Sequence, residues 1–181
     1  MSELTEQAES IEQLVASRLR DIPDFPEPGV SFKDFTPLLS DGAALRAVVR
    51  DIAARRAGSI DLVVGIEARG FIIGAAVAYE LGTGFVPVRK AGKLPGETLH
   101  VDYELEYGTA TIEVHADAFV AGARVLVVDD ILATGGTAVA TCDLLERAGA
   151  KVVAFEAVAE LGFLGGRDRL GSRVVHTMVT L

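Results

Sequence analysis

Residues 125–137 constrain the fold of this chain more than any other stretch: Val125, Leu126, Val127, Val128, Asp129, Asp130, Ile131, Leu132, Ala133, Thr134, Gly135, Gly136 and Thr137. Four consecutive branched apolar residues leave no polar face, so the strand they predict is buried on both sides. Such strands belong to parallel sheets covered by helices on each face. The pair of carboxylates closes the strand, the glycines turn the chain, and a helix is predicted from the turn to about Ala148.

The remainder repeats that rhythm. Apolar runs at Leu62–Ile66, 85–88, 152–158 and 174–179 alternate with helical stretches such as 71–81, which is the pattern of βαβ units. Residues Thr109–His115 alternate polar and apolar, with Ala110, Ile112 and Val114 on one face, and predict a half-exposed strand. Near the start, Leu4, Ala8, Ile11, Val15 and Leu19 recur at helical spacing and predict an amphipathic helix that stops before Pro23. Asp41 is placed to cap a second helix with Leu45, Val48, Val49 and Ile52 as its apolar stripe, ending near Gly58. Residues 21–37 carry Pro23, Pro26, Pro28 and Pro37 and are expected to be non-regular. Their three phenylalanines, Phe25, Phe32 and Phe35, imply that the segment is packed onto something. Residues 92–108 have no evident period and are expected to form a long loop. The fold class is therefore α/β, a twisted and mainly parallel sheet flanked by helices.

With 181 residues, half of them hydrophobic, the chain has enough apolar surface for one domain spanning 1–181. A net charge of −9 argues against nucleic acid as a partner, because broad binding to phosphates needs a basic face. The longest apolar runs, such as 71–78, fall short of the roughly 20 residues needed to cross a bilayer, and the acidic start does not resemble an export signal. No membrane is expected. The single Cys142 excludes an internal disulfide and fits a reducing, cytoplasmic setting; a small buried helix residue is its expected role. His100, His115 and His176 match no metal-ligand spacing.

Chemically, the 125–137 segment suits a phosphorylated sugar. Open α/β sheets bind ligands beyond the carboxyl ends of their strands. A Gly-rich turn into a helix presents backbone N–H groups and the positive end of the helix dipole, so Ala133, Thr134, Gly135, Gly136 and Thr137 can hold a phosphate monoester. Asp129 and Asp130 are side-by-side acceptors for a diol or a magnesium ion. Other phosphate signatures fail: residues 65–71 have P-loop glycine spacing with Phe71 in place of the lysine, and 82–84 lack the third glycine of a dinucleotide fold. The cations cluster despite the acidic total, at Arg69 and at Arg89, Lys90 and Lys93.

Residues 125–137 resemble the phosphate loop of the type I phosphoribosyltransferases. Four further stretches, 24–34, 67–71, 88–96 and 105–108, are similar to the adenine-specific branch of that family and occur in its order. The resemblance implies the type I fold, with an N-terminal hood at 1–40, a lid at 92–108 and a homodimer. It implies transfer from phosphoribosyl pyrophosphate (PRPP), with magnesium, to adenine, giving AMP and pyrophosphate.

By the same resemblance, Arg69, Lys90 and Lys93 serve the pyrophosphate, and Arg89 is a further candidate by its charge. Glu106 and Tyr107 form a catalytic lid pair together with Arg69, Glu106 handling a proton at the imidazole edge of the purine. Asp129 and Asp130 take the ribose. Ser31, Phe32, Lys33, Ile131 and Leu161 surround adenine, Phe32 stacking on one face and Ile131 on the other. Two other functions compete. Many 6-oxopurine transferases carry an acidic residue where this chain has Ala133, and its absence favours adenine over hypoxanthine, guanine or xanthine. A non-catalytic PRPP-sensing regulator would add a DNA-binding module and a basic face, for which there is neither room nor charge.

Overall fold

The structure, a computed structural model, describes residues 9–104 and 109–181. Contacts divide the chain into two compact units, residues 1–48 and 49–181.

In the first unit, α1 (Ile11–Arg18) starts at a reciprocal cap in which Gln13 N donates to Ser10 Oγ and Ser10 N to Gln13 Oε1. The 21–37 segment is not irregular as expected. It contains an antiparallel hairpin of β1 (Arg20–Ile22) and β2 (Phe32–Asp34), followed by the short α2 (Thr36–Ser40). The prolines permit this because Pro23, Pro26 and Pro28 lie in the connection, where no ladder donor is needed, and Pro37 sits in the first turn of α2, where a missing N–H costs nothing. Asp34 locks the hairpin, accepting from Thr36 N at 2.9 Å, Thr36 Oγ1 at 2.6 Å and Arg20 Nη2 at 2.5 Å. Asp41 accepts from Ala43 N and Ala44 N, capping α3 (Gly42–Arg56) as its position predicted.

The second unit is built on a seven-stranded sheet. Its strands are β3 (Leu62–Ile66), β4 (Gly84–Lys90), β5 (Thr98–Glu104), β6 (Thr109–His115), β7 (Arg124–Leu132), β8 (Lys151–Glu160) and β9 (Val175–Thr180), in the order β5-β6-β4-β3-β7-β8-β9. Strands β4, β3, β7, β8 and β9 are parallel, and β6 and β5 extend the β4 edge antiparallel. Helix α5 (Gly136–Arg147) shares one core with Val64, Ile66, Val125 and Val127. The alternate residues of β7 face the other way, and Val128 lies beside Gly74 of α4 (Arg69–Leu81). The strand is therefore buried on both faces, as its unbroken apolar run required. Cys142 is buried in α5, and burial pushes its thiol up to about 12. No helix among the described residues is long and apolar enough to cross a membrane.

Two expectations need correction here. Residues 92–108 are not a structureless loop, because Thr98–Glu104 forms β5 and pairs along its length with β6. Strand β6 is less exposed than its alternation suggested: Glu113, on the polar face, is 5% exposed. It is buried because its carboxylate accepts from Lys93 N at 2.9 Å and Leu94 N at 2.8 Å, anchoring the turn that follows β4.

The bonds at Asp34 hold its carboxyl down to about 2, the hydroxyl and N–H of Thr36 foremost and Arg20 after them, against an ordinary value of 3.8. A depressed folded value means that this stabilisation is complete above the unfolded value and lost as pH falls through the folded one. Asp34→Asn should therefore lower the melting temperature at pH 7, and the gap to the parent should close between pH 4 and pH 2. A gap independent of pH in that range would show that the ionised carboxylate is not what locks the hairpin.

Candidate functional site

Strands β3 and β7 are neighbours with Leu62 opposite Val125 and Gly65 opposite Val128, so β3 ends at Ile66 level with Asp129 while β7 runs on to Leu132. That register places the turn leaving β3, residues 67–69, beside Asp129 and Asp130. The approach is close because residue 70 is glycine: a Cβ there would stand 2.7 Å from the Val128 carbonyl oxygen and 3.1 Å from Asp129 Oδ1. Arg69, the first residue of α4, reaches across, and its Nε donates to Asp130 Oδ2.

The result is a cavity of about 320 Å³ lined by Ile66 to Arg69 and by Asp129 to Ala138. It brings together Arg69, both aspartates, Ile131 and the whole turn from Ala133 to Thr137. Gly135 has φ of +79° and leads into the first turn of α5, so the helix amino end opens on this cavity. Asp130 is buried and ion-paired with Arg69. Asp129 accepts from Asp130 N at 2.8 Å. Burial, with the charge of Asp130 beside it, raises the Asp129 carboxyl well above the ordinary range.

A second cavity of about 480 Å³ shares Ile66, Glu67 and Thr137 with the first and is lined further by Arg89, Lys90 and Tyr103. Here Glu67 organises the cations. Its carboxylate accepts from Lys90 N at 2.9 Å and Lys93 Nζ at 3.0 Å, and lies 3.5 Å from Arg89 Nε. Burial opposes ionisation of Glu67, but these donors outweigh it and leave the carboxyl below its ordinary value. Arg89 also stacks over the Phe71 ring at 5.9 Å. The Lys90 side chain forms no ion pair among the described residues and is exposed.

Sequence reasoning missed Glu67 and Tyr103. The signal for Glu67 was available: a carboxylate just past a buried strand, two residues before Arg69, can hold other cations as readily as bind a ligand. Thr137 Oγ1 donates to the Tyr103 hydroxyl over 3.2 Å, joining β5 to the 133–137 turn, and no local pattern announces that. Of the residues proposed for adenine, Leu161 is half-buried at the end of β8, its N–H donating to Leu132 O. Ser31, Phe32 and Lys33 belong to the first unit. There Phe32 meets Phe25 edge-on at 5.2 Å, and Lys33 pairs with Asp21. Glu106 and Tyr107 lie outside the described residues.

The tight contact at residue 70 gives a direct test. Gly70→Ala forces a methyl against a backbone carbonyl that cannot rotate away, and overpacking of this kind costs about 1–3 kcal/mol. Denaturant unfolding should register that loss. Parent-like stability would mean that α4 and β7 separate freely and that Arg69 is not held by their packing.

A family model described as a phosphoribosyl transferase domain matches residues 39–169. The adenine phosphoribosyltransferase of Salinispora tropica is 62% identical over 170 residues, covering 93% of this chain and 90% of that one. Among solved structures, the adenine phosphoribosyltransferase of Rhodothermus marinus is 50% identical with a TM-score of 0.89, covering 94% of this chain and 98% of that one. The Saccharomyces cerevisiae enzyme, complexed with an imino-altritol bisphosphate and adenine, is 40% identical with a TM-score of 0.88 over 93% and 98%. A family match over most of the chain and identity of 62% across nearly all of it place one conclusion beyond the fold: the chain belongs to the phosphoribosyl transferase family, among its adenine phosphoribosyltransferases.

Proposed function

We propose that the two adjoining cavities bind PRPP and that the chain transfers its 5-phosphoribosyl group to adenine, forming AMP and releasing pyrophosphate in purine salvage. The observation that carries this reading is the convergence of the 133–137 turn, the Asp129–Asp130 pair and Arg69 in one cavity, with Arg89, Lys90 and Lys93 grouped around Glu67 next to it. The turn suits the 5-phosphate, which its backbone N–H groups and the hydroxyls of Thr134 and Thr137 can hold. The aspartates suit the ribose hydroxyls. In the reaction the bond from the anomeric carbon to pyrophosphate breaks as N9 of adenine bonds to that carbon. Negative charge grows on the leaving group, so cations fixed beforehand lower the barrier most. Arg69, Arg89, Lys90 and Lys93 are those cations.

Among the described residues no three histidine, cysteine, aspartate or glutamate side chains group to hold a metal, and Asp130 is already committed to Arg69. Asp129 and Asp130 would suit magnesium carried in on PRPP, which would neutralise charge on the pyrophosphate oxygens. Adenine would lie against Ile131 and Leu161, and the family resemblance alone gives Ser31, Phe32 and Lys33 a part in holding the base. Glu106, with Tyr107, would receive or share the proton leaving the imidazole ring. A homodimer in the cytoplasm completes the reading, supported by the family resemblance and by the single buried cysteine.

Ala133 lines the cavity where an oxopurine enzyme carries an acid, which supports adenine as the base. Purified protein given PRPP and magnesium should form AMP from adenine far faster than IMP or GMP from hypoxanthine or guanine. Comparable kcat/KM for hypoxanthine would overturn the base assignment, and no nucleotide from any purine would favour a PRPP-sensing regulator. Glu106→Gln should lower kcat by about 10²–10⁴, the usual range for a general acid–base group, with little change in KM for PRPP. Near-parent turnover would remove the proton role.

A further inference from the structure

The phosphate turn does not hold its shape alone. Behind it lies α6 (Gly166–Arg169), a single turn of helix. A Cβ on Gly166 would fall 2.1 Å from Ala133 O and 2.9 Å from Gly135 N, and one on Gly135 would fall 2.5 Å from Gly166 O. Such distances cannot accommodate any side chain, so the two backbones touch directly. Three residues on, Arg169 Nη1 donates to Thr134 O at 3.2 Å. Of the consecutive carbonyls of the turn, Thr134 thus accepts from Arg169 and Ala133 lies directly against the Gly166 backbone. The peptide is planar and trans, so turning the Ala133 carbonyl onto Gly166 turns the N–H of Thr134 the opposite way, away from α6.

Helix α6 is itself fastened to the sheet. Glu160, 5% exposed at the end of β8, accepts from Arg167 Nη2 at 2.5 Å and from Thr177 Oγ1 of β9 at 3.0 Å. Arg167 Nη1 donates in addition to Val175 O at 2.9 Å. A buried carboxylate gripping an arginine fixes both its position and its orientation. The chain of contacts runs from β8 and β9 through Glu160 and Arg167 to the backbone of the turn.

We propose that Gly166 and Arg169 are positioning residues for sugar-phosphate recognition: α6 clamps the carbonyls of Ala133 and Thr134 and thereby presents the turn's N–H donors to the 5-phosphate of PRPP. The inference rests on the reading of residues 133–137 as the 5-phosphate site. It adds a determinant of PRPP affinity outside the phosphate motif.

The test compares Gly166→Ala, Arg169→Ala and Arg169→Lys with Thr137→Ala, measuring ribose 5-phosphate binding by calorimetry and the separate KM values for PRPP and adenine. Hydrogen bonds to charged groups are worth about 1.5–3 kcal/mol, and every 1.4 kcal/mol is tenfold. Gly166→Ala and Arg169→Ala should therefore each weaken ribose 5-phosphate and raise KM for PRPP by roughly tenfold. KM for adenine should stay within about twofold, because these residues meet only the phosphate turn. Arg169→Lys should recover part of the loss. Arg169 is exposed, so its variants keep the test valid if Gly166→Ala fails to fold. Weakening in Thr137→Ala alone would overturn the role of α6 and leave the phosphate site standing. Parent-like affinity in all four variants would overturn the phosphate site as well. Equal losses toward PRPP and adenine with a lowered melting temperature would reduce Gly166 and Arg169 to ordinary structural parts.

Discussion

The site depends on one contact, the seating of α4 against β7 at Gly70. With only a hydrogen in the way, the first turn of the helix settles onto the Val128 carbonyl, and Arg69 is brought within reach of Asp130. The level register of β3 and β7 supplies the coarse alignment. Removing the side chain at residue 70 supplies the last ångström. Interiors are packed too closely to absorb an extra methyl at a backbone contact. The cavity therefore inherits its dimensions from main-chain geometry, which varies less than side-chain rotamers.

An acidic protein with a net charge of −9 gathers its site cations by spending carboxylates on them. Asp130 holds Arg69, Glu67 holds Arg89 and Lys93, and Glu113 holds the backbone of Lys93 and Leu94. Each carboxylate cancels part of the charge it fixes. The gain is preorganisation: the long side chains lose rotamer freedom on folding and not on meeting the ligand, which is when the loss would weaken binding. On the function proposed above, a polyphosphate anion would then exchange one set of charge-assisted bonds for a stronger set. Local arrangement decides this exchange, and the overall charge matters chiefly for the long-range approach of the ligand.

The sheet and its order of elements were legible because β3, β7 and α5 obey local rules: continuous apolar runs, a Gly-rich turn and a helical stripe. Strand β5 was legible in part. Leu99, Val101 and Tyr103 alternate with polar residues, but Gly92, Pro95 and Gly96 in front of them mark the region as loop, and the strand identity comes from its pairing with β6. The hairpin of β1 and β2 was hidden by strands of three residues each, too short to show a period among so many prolines. At the site, the residues of the 125–137 motif and Arg69 were readable from chemistry and position. Glu113 and Gly166 were not. Their roles come from partners 19 or more residues away in sequence, and a polar residue on a strand's outer face or a glycine in a Gly-rich stretch looks the same whether or not such a partner exists.

The phosphate turn is held from two sides, and the two holds differ in strength. On one side α6 is fixed through the buried Glu160 to β8 and β9. On the other, β5 is an edge strand paired only with β6, and half or more of its side chains are exposed. It touches the turn through Tyr103 at Thr137 and through the Glu104 carbonyl, 3.3 Å from where a Cβ on Gly136 would stand. An anion bound at Thr137 and Gly136, as the proposed function requires, would compete with β5 for the same atoms. Parting the turn from Tyr103 gives up one side-chain hydrogen bond, whereas displacing α6 would uncover a buried carboxylate, which costs far more. On the function proposed above, an adjustment on binding would therefore fall on the Tyr103 contact, while the turn would keep the shape that α6 imposes.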